Sequence, residues 1–391
     1  MLLVVEIMAA GYNFLTNNEK LNRKLESQFE LCYDWFQIVV YWLRWSIKEI
    51  LMAGFLLCSV FLRCFCGSGA HQNAEVTIES FKQGVSMPKL LIVGSNGFAG
   101  RYLKSELEEH EYDVYGVDLK SNDDRTIKAD MLIPDCVDAV LEKVQPDGIF
   151  NLSGFASPHL SWSQVIQTMH LNVDISVNLA LSMQKYCHNA RLIVIGSANQ
   201  YNVDACNNMP INELSPLKAD DPYSVSKQAQ EALLSMLASR NQLDIIITRS
   251  FNHIGPGQKK GFVVPDFASG IVNVERGLTK ELEVGNLQVR RDFSDVRDIV
   301  RAYRLLYEKG HSGEVYNVGS GQDYQIRWIL ETLLSYSNAT PRIKQRFPVS
   351  TSNATNRMIC DFSKLHEHTG YEPQFHIQET LREVLQHFRS L

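Results

Sequence analysis

The chain has 391 residues, of which 45% are hydrophobic and 21% charged, and its net charge is -6. This length and apolar content suffice for a large α/β core. The modest acidic charge, without a long Lys/Arg block, argues against a nucleic-acid partner. The eight cysteines are scattered, without a Cys-x-x-Cys pair in the globular part. They indicate a reducing, cytoplasmic compartment and predict no metal site.

Residues 1–88 are predicted to be an extension outside the catalytic fold. Polar residues between positions 34 and 48 recur at spacings of three and four, which predicts an amphipathic helix. The uncharged run that follows, 50–62, is shorter than the roughly 20 residues that span a bilayer. An interfacial anchor or a helical hairpin, with weak membrane association through residues 34–62, therefore stays open beside a plain appendage.

A polar linker connects this extension to the rest of the chain. Residues 66–86 are rich in Gly, Ser, His and Gln, and the first core strand begins directly after Met87 and Pro88. Met87 is thus an alternative start. Residues 1–86 are expected to be dispensable for catalysis, because every chemical motif follows them.

From residue 89 the sequence alternates predicted strands and helices. The apolar run 89–93, bounded by proline and glycine, predicts a strand buried on both faces of a parallel sheet. A Gly-x-x-Gly-x-x-Gly turn and a helical pattern follow. This spacing lets a backbone approach a pyrophosphate that faces a helix N-terminus. The predicted cofactor-binding residues of the turn are Gly94, Asn96, Gly97, Phe98 and Gly100.

The second predicted strand, 114–117, ends in Asp118. An acid about 20 residues beyond the glycine turn binds the adenosine ribose hydroxyls of a dinucleotide. A carboxylate repels the additional phosphate of NADP(H), so Asp118 favours NAD(H) over NADP(H). The nearby cations Lys120 and Arg125 act in the opposite direction.

Two further strands contribute cofactor contacts. A third strand is predicted before Asp130 and Met131, which are placed at the adenine end of the cofactor, with a strand-end cap as the equal alternative for Asp130. The fourth strand, 148–152, ends in Leu152 and leads into Ser153 and other small residues. Small side chains there let phosphates and nicotinamide pass close to the backbone.

The predicted catalytic centre lies at the fifth strand and the following helix. Strand 192–195 leads to Ser197, at the sheet edge where open α/β sheets bind ligands. Asp221 and the proline after it predict a helix start, so Tyr223 and Lys227 lie four apart on one helical face. The ammonium is expected to lower the phenol pKa, so that Tyr223 exchanges a proton while Ser197 binds the same substrate oxygen.

Longer strings downstream carry a family resemblance. They are 249–258 (Arg-Ser-Phe-Asn-His-Ile-Gly-Pro-Gly-Gln), 262–267 (Phe-Val-Val-Pro-Asp-Phe) and 284–298, which contains Arg-Arg-Asp-Phe-Ser-Asp. With the upstream order of motifs, they resemble the extended short-chain dehydrogenases, the NAD-dependent epimerase/dehydratase family of sugar-nucleotide enzymes, over about residues 89–385. Among these enzymes the chain is most similar to the GDP-4-keto-6-deoxy-mannose reductases.

The resemblance implies an α/β fold with a Rossmann-type, doubly wound parallel sheet and a smaller C-terminal lobe. The NAD(P)-binding domain is expected to span 89–250, with a return near 311–321. The nucleotide-sugar lobe is expected to comprise 251–310 and 322–391. The expected partners are a nucleotide-diphosphate sugar, GDP-linked, and a second copy of the chain in a homodimer.

The resemblance also implies three substrate-binding residues. Asn252, after the sixth strand, matches the asparagine that contacts the sugar. Arg291, before Asp-Phe, matches the arginine that binds the diphosphate. Arg357, ahead of an Asp-x-Ser-Lys segment, matches one that holds the nucleotide, with a surface ion pair as its alternative.

One departure bears on the reaction. Related dehydratases place an acid two residues after the catalytic Ser or Thr, whereas this chain has Asn199, which cannot act as a general base. Dehydration is therefore disfavoured. The first hypothesis is reduction of a nucleotide-linked 4-keto-6-deoxyhexose by NAD(P)H, and the second is a 4-epimerase that retains its cofactor. A non-catalytic NAD-sensing protein is the third, against which the intact Ser197, Tyr223 and Lys227 argue.

Overall fold

The apolar runs of the sequence form one sheet of seven parallel strands in the computed structural model, which describes residues 87–121, 123–206, 210–345 and 357–391. The strands are β1 (Lys89–Val93), β2 (Asp113–Asp118), β3 (Thr126–Lys128), β4 (Gly148–Asn151), β5 (Arg191–Ile195), β6 (Asp244–Ser250) and β10 (Val315–Val318). Their order is β10-β6-β5-β4-β1-β2-β3. Successive strands are added on one side of β1 up to β3 and on its other side from β4 onward. The carboxyl ends of β1 and β4 therefore flank a ligand-binding crevice.

Helices cover both faces of this sheet. One face packs against α2 (Pro134–Val144), α5 (Ile175–Tyr186) and α6 (Pro222–Asn241). The other packs against α1 (Phe98–Glu109), α8 (Val296–Lys309) and α10 (Ser363–Thr369). The short helices α3 (Pro158–Ser161) and α4 (Val165–Met169) and a π-helical turn, His170–Asp174, precede α5. The predicted Rossmann-type sheet is confirmed.

Two small sheets and three helices build a separate apolar core. The strand order β11 (Asp323–Gln325), β9 (Arg290–Asp295), β13 (Arg357–Met358) defines one sheet, and β7 (Asn252–Ile254) also pairs with β9. The other sheet pairs β8 (Glu281–Val284) with β12 (Arg342–Gln345). The helices are α7 (Val263–Glu275), α9 (Ile326–Ser335) and α11 (Ile377–Ser390).

Two helices assigned by sequence to the C-terminal lobe pack on the main sheet. Helix α8 buries Ile299, Tyr303 and Leu306 among the residues of β1, β4 and β6, and α10 buries Leu365 in the same cluster. Their apolar faces complete the layer that α1 begins. Consequently, residues 296–309 belong physically to the cofactor-binding sheet.

The predicted extension lies outside the described residues. This applies to the amphipathic helix and to the expected membrane association of residues 34–62. Within the part of the chain that the structure describes, no helix is long and apolar enough to cross a membrane.

Candidate active site

The glycine turn joins β1 to α1 in a space too narrow for side chains. A Cβ on Gly94, whose φ is +83°, would lie 3.0 Å from the backbone N of Ser153, and one on Gly100 would lie 2.3 Å from the Gly94 carbonyl oxygen. Gly97 is the N-cap of α1, and no side-chain hydrogen bond caps that helix. Its first N–H groups are therefore suited to a pyrophosphate, which fits a dinucleotide.

Asp118 lies directly beside this turn. Its Oδ2 accepts a hydrogen bond from the Asn96 N–H at 3.0 Å, and its Oδ1 accepts one from the Leu119 N–H at 2.8 Å. Arg125, one of the two nearby cations, donates to Asp113 at 2.6 Å. The charge of Arg125 is therefore paired with Asp113.

The remaining predicted cofactor residues follow β3 and β4. Asp130 Oδ1 accepts a hydrogen bond from the Leu132 N–H at 3.0 Å, so this carboxylate does cap the end of its strand, and Met131 is buried. Leu152 extends β4 beside β1, where its N–H donates to the Val93 carbonyl at 2.9 Å. These residues lie at the carboxyl edge of the sheet, where the sequence placed them.

Ser153 and Phe98 lie on either side of the glycine turn. Ser153 Oγ donates to Asn151 Oδ1 at 2.5 Å, which fixes the loop after β4. The Phe98 ring stacks on His253, with 6.1 Å between ring centroids. The loop after β4 thus lies on one side of the turn, and β7 contacts Phe98 on the other side.

The start of α6 carries the predicted catalytic pair. The Ser224 N–H donates to Asp221 Oδ1 at 2.7 Å and the Asp221 N–H donates to Ser224 Oγ at 3.2 Å, a reciprocal capping box. Pro222 is the first helical residue. Tyr223 and Lys227 therefore lie in the first two turns of a well-capped helix, and both are buried.

Ser197 follows β5 and meets Tyr223. Burial raises the pKa of Tyr223, while a hydrogen bond with the Ser197 side chain acts in the lowering direction. The net shift is upward, so the lowering of this pKa that the sequence predicted from Lys227 is not found. Tyr223 is consequently a protonated phenol at neutral pH, the state required to donate a proton to a carbonyl oxygen.

Lys227 is a buried ammonium held by neutral acceptors. Its Nζ donates to the Ile195 carbonyl at 2.7 Å and to Gln230 Oε1 at 3.2 Å. Burial lowers the pKa of Lys227 to about 7. The lysine therefore titrates near neutrality when no ligand is bound.

The predicted substrate residues lie on and beside β9. Asn252 Nδ2 donates to the Asp292 carbonyl at 3.2 Å. Burial lowers the pKa of Arg291, as expected for a cation removed from water. In the parallel pairing of β13 with β9, Arg357 lies opposite Arg290 and Met358 opposite Arg291.

Arg357 is joined to Arg290 by an acid that the sequence analysis did not single out. Arg357 donates to both carboxylate oxygens of Asp323, at 2.8 and 2.9 Å, and Arg290 Nε donates to the same carboxylate at 2.5 Å. The ion-pair alternative for Arg357 is thus present. Successive side chains of a strand point to opposite faces, so the strand period indicates that Arg290 shares the face of Arg357 and Arg291 points to the other.

A family model identifies this arrangement. The NAD dependent epimerase/dehydratase family matches residues 90–319. The chain belongs to this family. It is an NAD(P)-dependent oxidoreductase of the extended short-chain dehydrogenase type, as the sequence predicted, and its cofactor is NAD(H) or NADP(H).

Individual members of the epimerase/dehydratase family resemble the chain along most of its length. It is 30% identical to a GDP-6-deoxy-D-mannose reductase of Pseudomonas aeruginosa, over 77% of this chain and 97% of the relative. It is 29% identical to a GDP-6-deoxy-D-talose 4-dehydrogenase of Aggregatibacter actinomycetemcomitans, over 73% of this chain and 93% of the relative.

Solved structures of the family share the fold. RMD from Pseudomonas aeruginosa, complexed with NADPH, superposes with a TM-score of 0.70 at 30% identity, covering 78% of this chain and 99% of that one. A UDP-glucose 4-epimerase of Thermotoga maritima, with UDP-glucose, gives a TM-score of 0.70 at 23% identity, covering 77% and 99%. The second likeness bears on the fold alone.

The titration of Lys227 provides a test of this site. Below pH 7 the lysine is charged in both the folded and the unfolded chain, so the full cost of burying the charge is present. Between the folded pKa of about 7 and the unfolded value of about 10.4, the folded protein has lost the proton that the unfolded chain still binds, so stability rises with pH. We expect the difference in unfolding free energy, Lys227→Met minus wild type, to fall by about 1.4 kcal/mol per pH unit between pH 7.5 and 9.5.

Denaturant unfolding without nicotinamide at several pH values measures this difference. Lys185→Met is the matched control, because exposed Lys185 pairs with Asp138 at 2.9 Å and its pKa is raised rather than lowered. A difference for Lys227→Met that stays constant with pH would contradict an uncompensated buried ammonium.

Proposed function

We propose that the chain is a cytoplasmic reductase of a nucleotide-linked 4-keto-6-deoxyhexose, of the GDP-4-dehydro-6-deoxy-D-mannose to GDP-D-rhamnose type. The observation that carries the proposal is the position of Tyr223 and Ser197 at the carboxyl edge of the sheet, where burial raises the pKa of Tyr223 and keeps the phenol protonated at neutral pH. The identity of 30% to a GDP-6-deoxy-D-mannose reductase, over 97% of its length, supports the substrate class.

Each residue of the site has a separate role in the proposed carbonyl reduction. NAD(P)H supplies the hydride when bound, and the carbonyl carbon accepts it. Tyr223 donates its proton to the oxygen, which becomes a hydroxyl, while Ser197 hydrogen-bonds the same oxygen. Lys227 lies one helical turn from the phenol, and in its charged form it would bind the nicotinamide ribose.

The residue two positions after Ser197 favours reduction over dehydration. Asn199 donates its backbone N–H to Ser197 Oγ at 3.2 Å, and its side chain is an amide. An amide has no proton-accepting role in elimination. A 4-epimerase is the alternative, and it differs by stoichiometry, since it turns over without net consumption of nicotinamide.

We further propose that Asn252 contacts the sugar, Arg291 the diphosphate and Arg357 the nucleotide. Guanidinium groups give directional, charge-assisted hydrogen bonds to phosphate oxygens. Two hydrogen bonds to the carboxylate of Asp323 hold the guanidinium group of Arg357 in place. The second copy of the chain in a homodimer is also part of this proposal.

Replacing the proton donor tests the activity directly. Tyr223→Phe is expected to lower turnover of the GDP-linked keto sugar by about a hundredfold or more, because it removes the general acid, and to leave the Kd of NAD(P)H nearly unchanged. Stopped assays that quantify both nicotinamide oxidised and deoxysugar formed make the measurement. Tyr112→Phe is the control, since Tyr112 donates to Glu308 at the opposite end of the sheet. Turnover within a few-fold of wild type in Tyr223→Phe would reject the assignment.

Cofactor preference should follow Asp118. We expect kcat/KM with NADH to be at least equal to that with NADPH, and Asp118→Asn to shift the ratio toward NADPH by about tenfold, because the repulsion of the additional phosphate is removed. Asp138→Asn, on the far surface of α2, is the matched control. A strong preference of the wild type for NADPH would count against the role of Asp118.

Anchoring residues should act mainly on substrate binding. A diphosphate keeps its charge in ground and transition states, so Arg291→Ala is expected to raise the KM for the nucleotide sugar about tenfold and to lower kcat less. Arg342→Ala, whose side chain is 83% exposed, is the control. An unchanged KM in Arg291→Ala would show that this side chain faces away from the substrate.

An apolar stripe on neighbouring helices supports the homodimer. Four apolar side chains are each more than a third exposed: Val225, Leu233 and Met236 of α6 and Leu181 of α5. A contiguous apolar face is typical of a subunit interface. Met236→Arg combined with Leu233→Arg is expected to halve the molar mass in sedimentation equilibrium. A wild type that sediments as a monomer would exclude the homodimer.

A further inference from the structure

Lys227 is oriented by a side chain of its own helix. Gln230 lies one turn further along α6, is 1% exposed, and accepts a hydrogen bond from Lys227 Nζ through its Oε1. The Ile195 carbonyl accepts the other hydrogen bond of the ammonium. Glu231, the acid next to Gln230, is committed to Arg249, to which its carboxylate is hydrogen-bonded. No carboxylate among the described residues is hydrogen-bonded to the ammonium.

The partners of Gln230 determine which way its amide faces. Nε2 donates to the Asn172 carbonyl at 2.8 Å and to Ser176 Oγ at 2.6 Å. The Asn172 carbonyl can only accept, so the nitrogen must point there. Ser176 Oγ donates its own proton to the same carbonyl at 3.1 Å, which leaves its lone pairs for Gln230. The oxygen of Gln230 must therefore face Lys227.

The same chain of hydrogen bonds continues to the loop beside the glycine turn. Asn151 Nδ2 donates to Ser176 Oγ at 2.9 Å, and Asn151 Oδ1 accepts from Ser153 Oγ at 2.5 Å. Gln230, Ser176 and Asn151 are at most 1% exposed and carry no charge. A buried polar network with every donor and acceptor satisfied is rigid and costly to break.

The π-helical turn supplies the acceptor behind Gln230. Asn172 lies in the turn His170–Asp174, where the wider helix leaves its carbonyl to the side chains of α6. Its Nδ2 also donates to Ser226 Oγ at 2.8 Å, so the turn is fastened to α6 at two points. π-Helical turns of this kind are frequent at functional sites.

We propose that Gln230 is a positioning residue that fixes Lys227 Nζ against the end of β5 and connects it, through Ser176 and Asn151, to the Ser153 loop, which would contact a bound cofactor. The inference rests on the proposed function for the role of Lys227 in catalysis. It extends that function by one residue that touches neither substrate nor cofactor. Gln230 acts by fixing the position of the Lys227 ammonium and by influencing its charge.

Two substitutions of Gln230 separate positioning from packing. Gln230→Met removes the acceptor at the ammonium, and we expect the Kd of NADH, measured by nucleotide fluorescence, to rise about tenfold, the effect of losing a hydrogen bond to a charged group. Gln230→Glu places a carboxylate beside the ammonium. The pH above which NADH binding weakens is expected to rise by about one unit in Gln230→Glu and to fall in Gln230→Met.

Besides Glu231, which is paired with Arg249, two tyrosines belong to this region: Tyr223, on the same helix, and Tyr303 of α8, which interacts electrostatically with Tyr223. Neither is charged in the pH range of the measurement, because burial raises both pKa values. A shift of the alkaline limit in opposite directions for the two variants therefore reports on Lys227. A loss of packing would lower the melting temperature without moving this limit.

Gln228→Met is the matched control, since Gln228 lies on the same helix and donates only to the Gln200 carbonyl at 3.1 Å. Ser176→Ala tests the network from its other side and should weaken NADH binding in the same direction, with an effect that is not additive with Gln230→Met. If Gln230→Met misfolds, Gln230→Glu and Ser176→Ala still decide the matter. The proposal would be overturned if all of these variants kept the NADH affinity of the wild type and the same pH above which NADH binding weakens.

The measurement does not depend on the sugar substrate. A wild type that binds NADH but reduces no keto-sugar nucleotide would refute the proposed function and leave the role of Gln230 intact. The opposite result is a wild type that reduces the sugar, with Gln230 variants that equal wild type in NADH affinity and in the pH limit of binding. It would refute the role of Gln230 and leave the proposed function intact.

Discussion

The contact between Lys227 and the end of β5 is the constraint around which the active site is arranged. An ammonium buried without a hydrogen-bonded carboxylate is unfavourable, and only good neutral acceptors make it tolerable. The Ile195 carbonyl is free to accept because β5 ends there and the chain turns toward Ser197. Helix α6 must therefore approach the sheet edge closely, and this approach brings Tyr223 to Ser197.

A second buried charge organises the substrate side. The carboxylate of Asp292 accepts hydrogen bonds from the N–H groups of Ser320, Gly321 and Cys360 and from the Ser320 hydroxyl. Burial raises the pKa of Asp292 to about 6, against the opposite effect of these four donors. The acid thereby ties β9 to the turn after β10 and to the segment that follows β13. This fixes the backbone from which Arg290 and Arg291 project.

The two halves of the site come from different cores. The proposed cofactor side depends on the parallel sheet, whose helices α1 and α6 present the glycine turn and the proposed catalytic pair at one edge. The substrate side depends on β9 and the strands paired with it, which belong to the small sheet. Phe98 of the glycine turn stacks on His253 of β7, so a direct ring contact joins the two sides. The charged residues of β9 and the glycine turn are thus connected through this ring contact.

The sequence by itself determined the features that depend on local order: the glycine turn between strand and helix, the capped start of α6 at Asp221, and the parallel sheet. These follow from periodicity, spacing and capping chemistry, which act over a few residues. Tertiary structure alone decided which groups lie beside Lys227 and Arg357. Gln230 has a visible signal, its position one helical turn after Lys227, but Asp323 has none. It reaches Arg357 only because β11 and β13 both pair with β9, and the packing of α8 on the main sheet likewise depends on contacts between residues far apart in the chain.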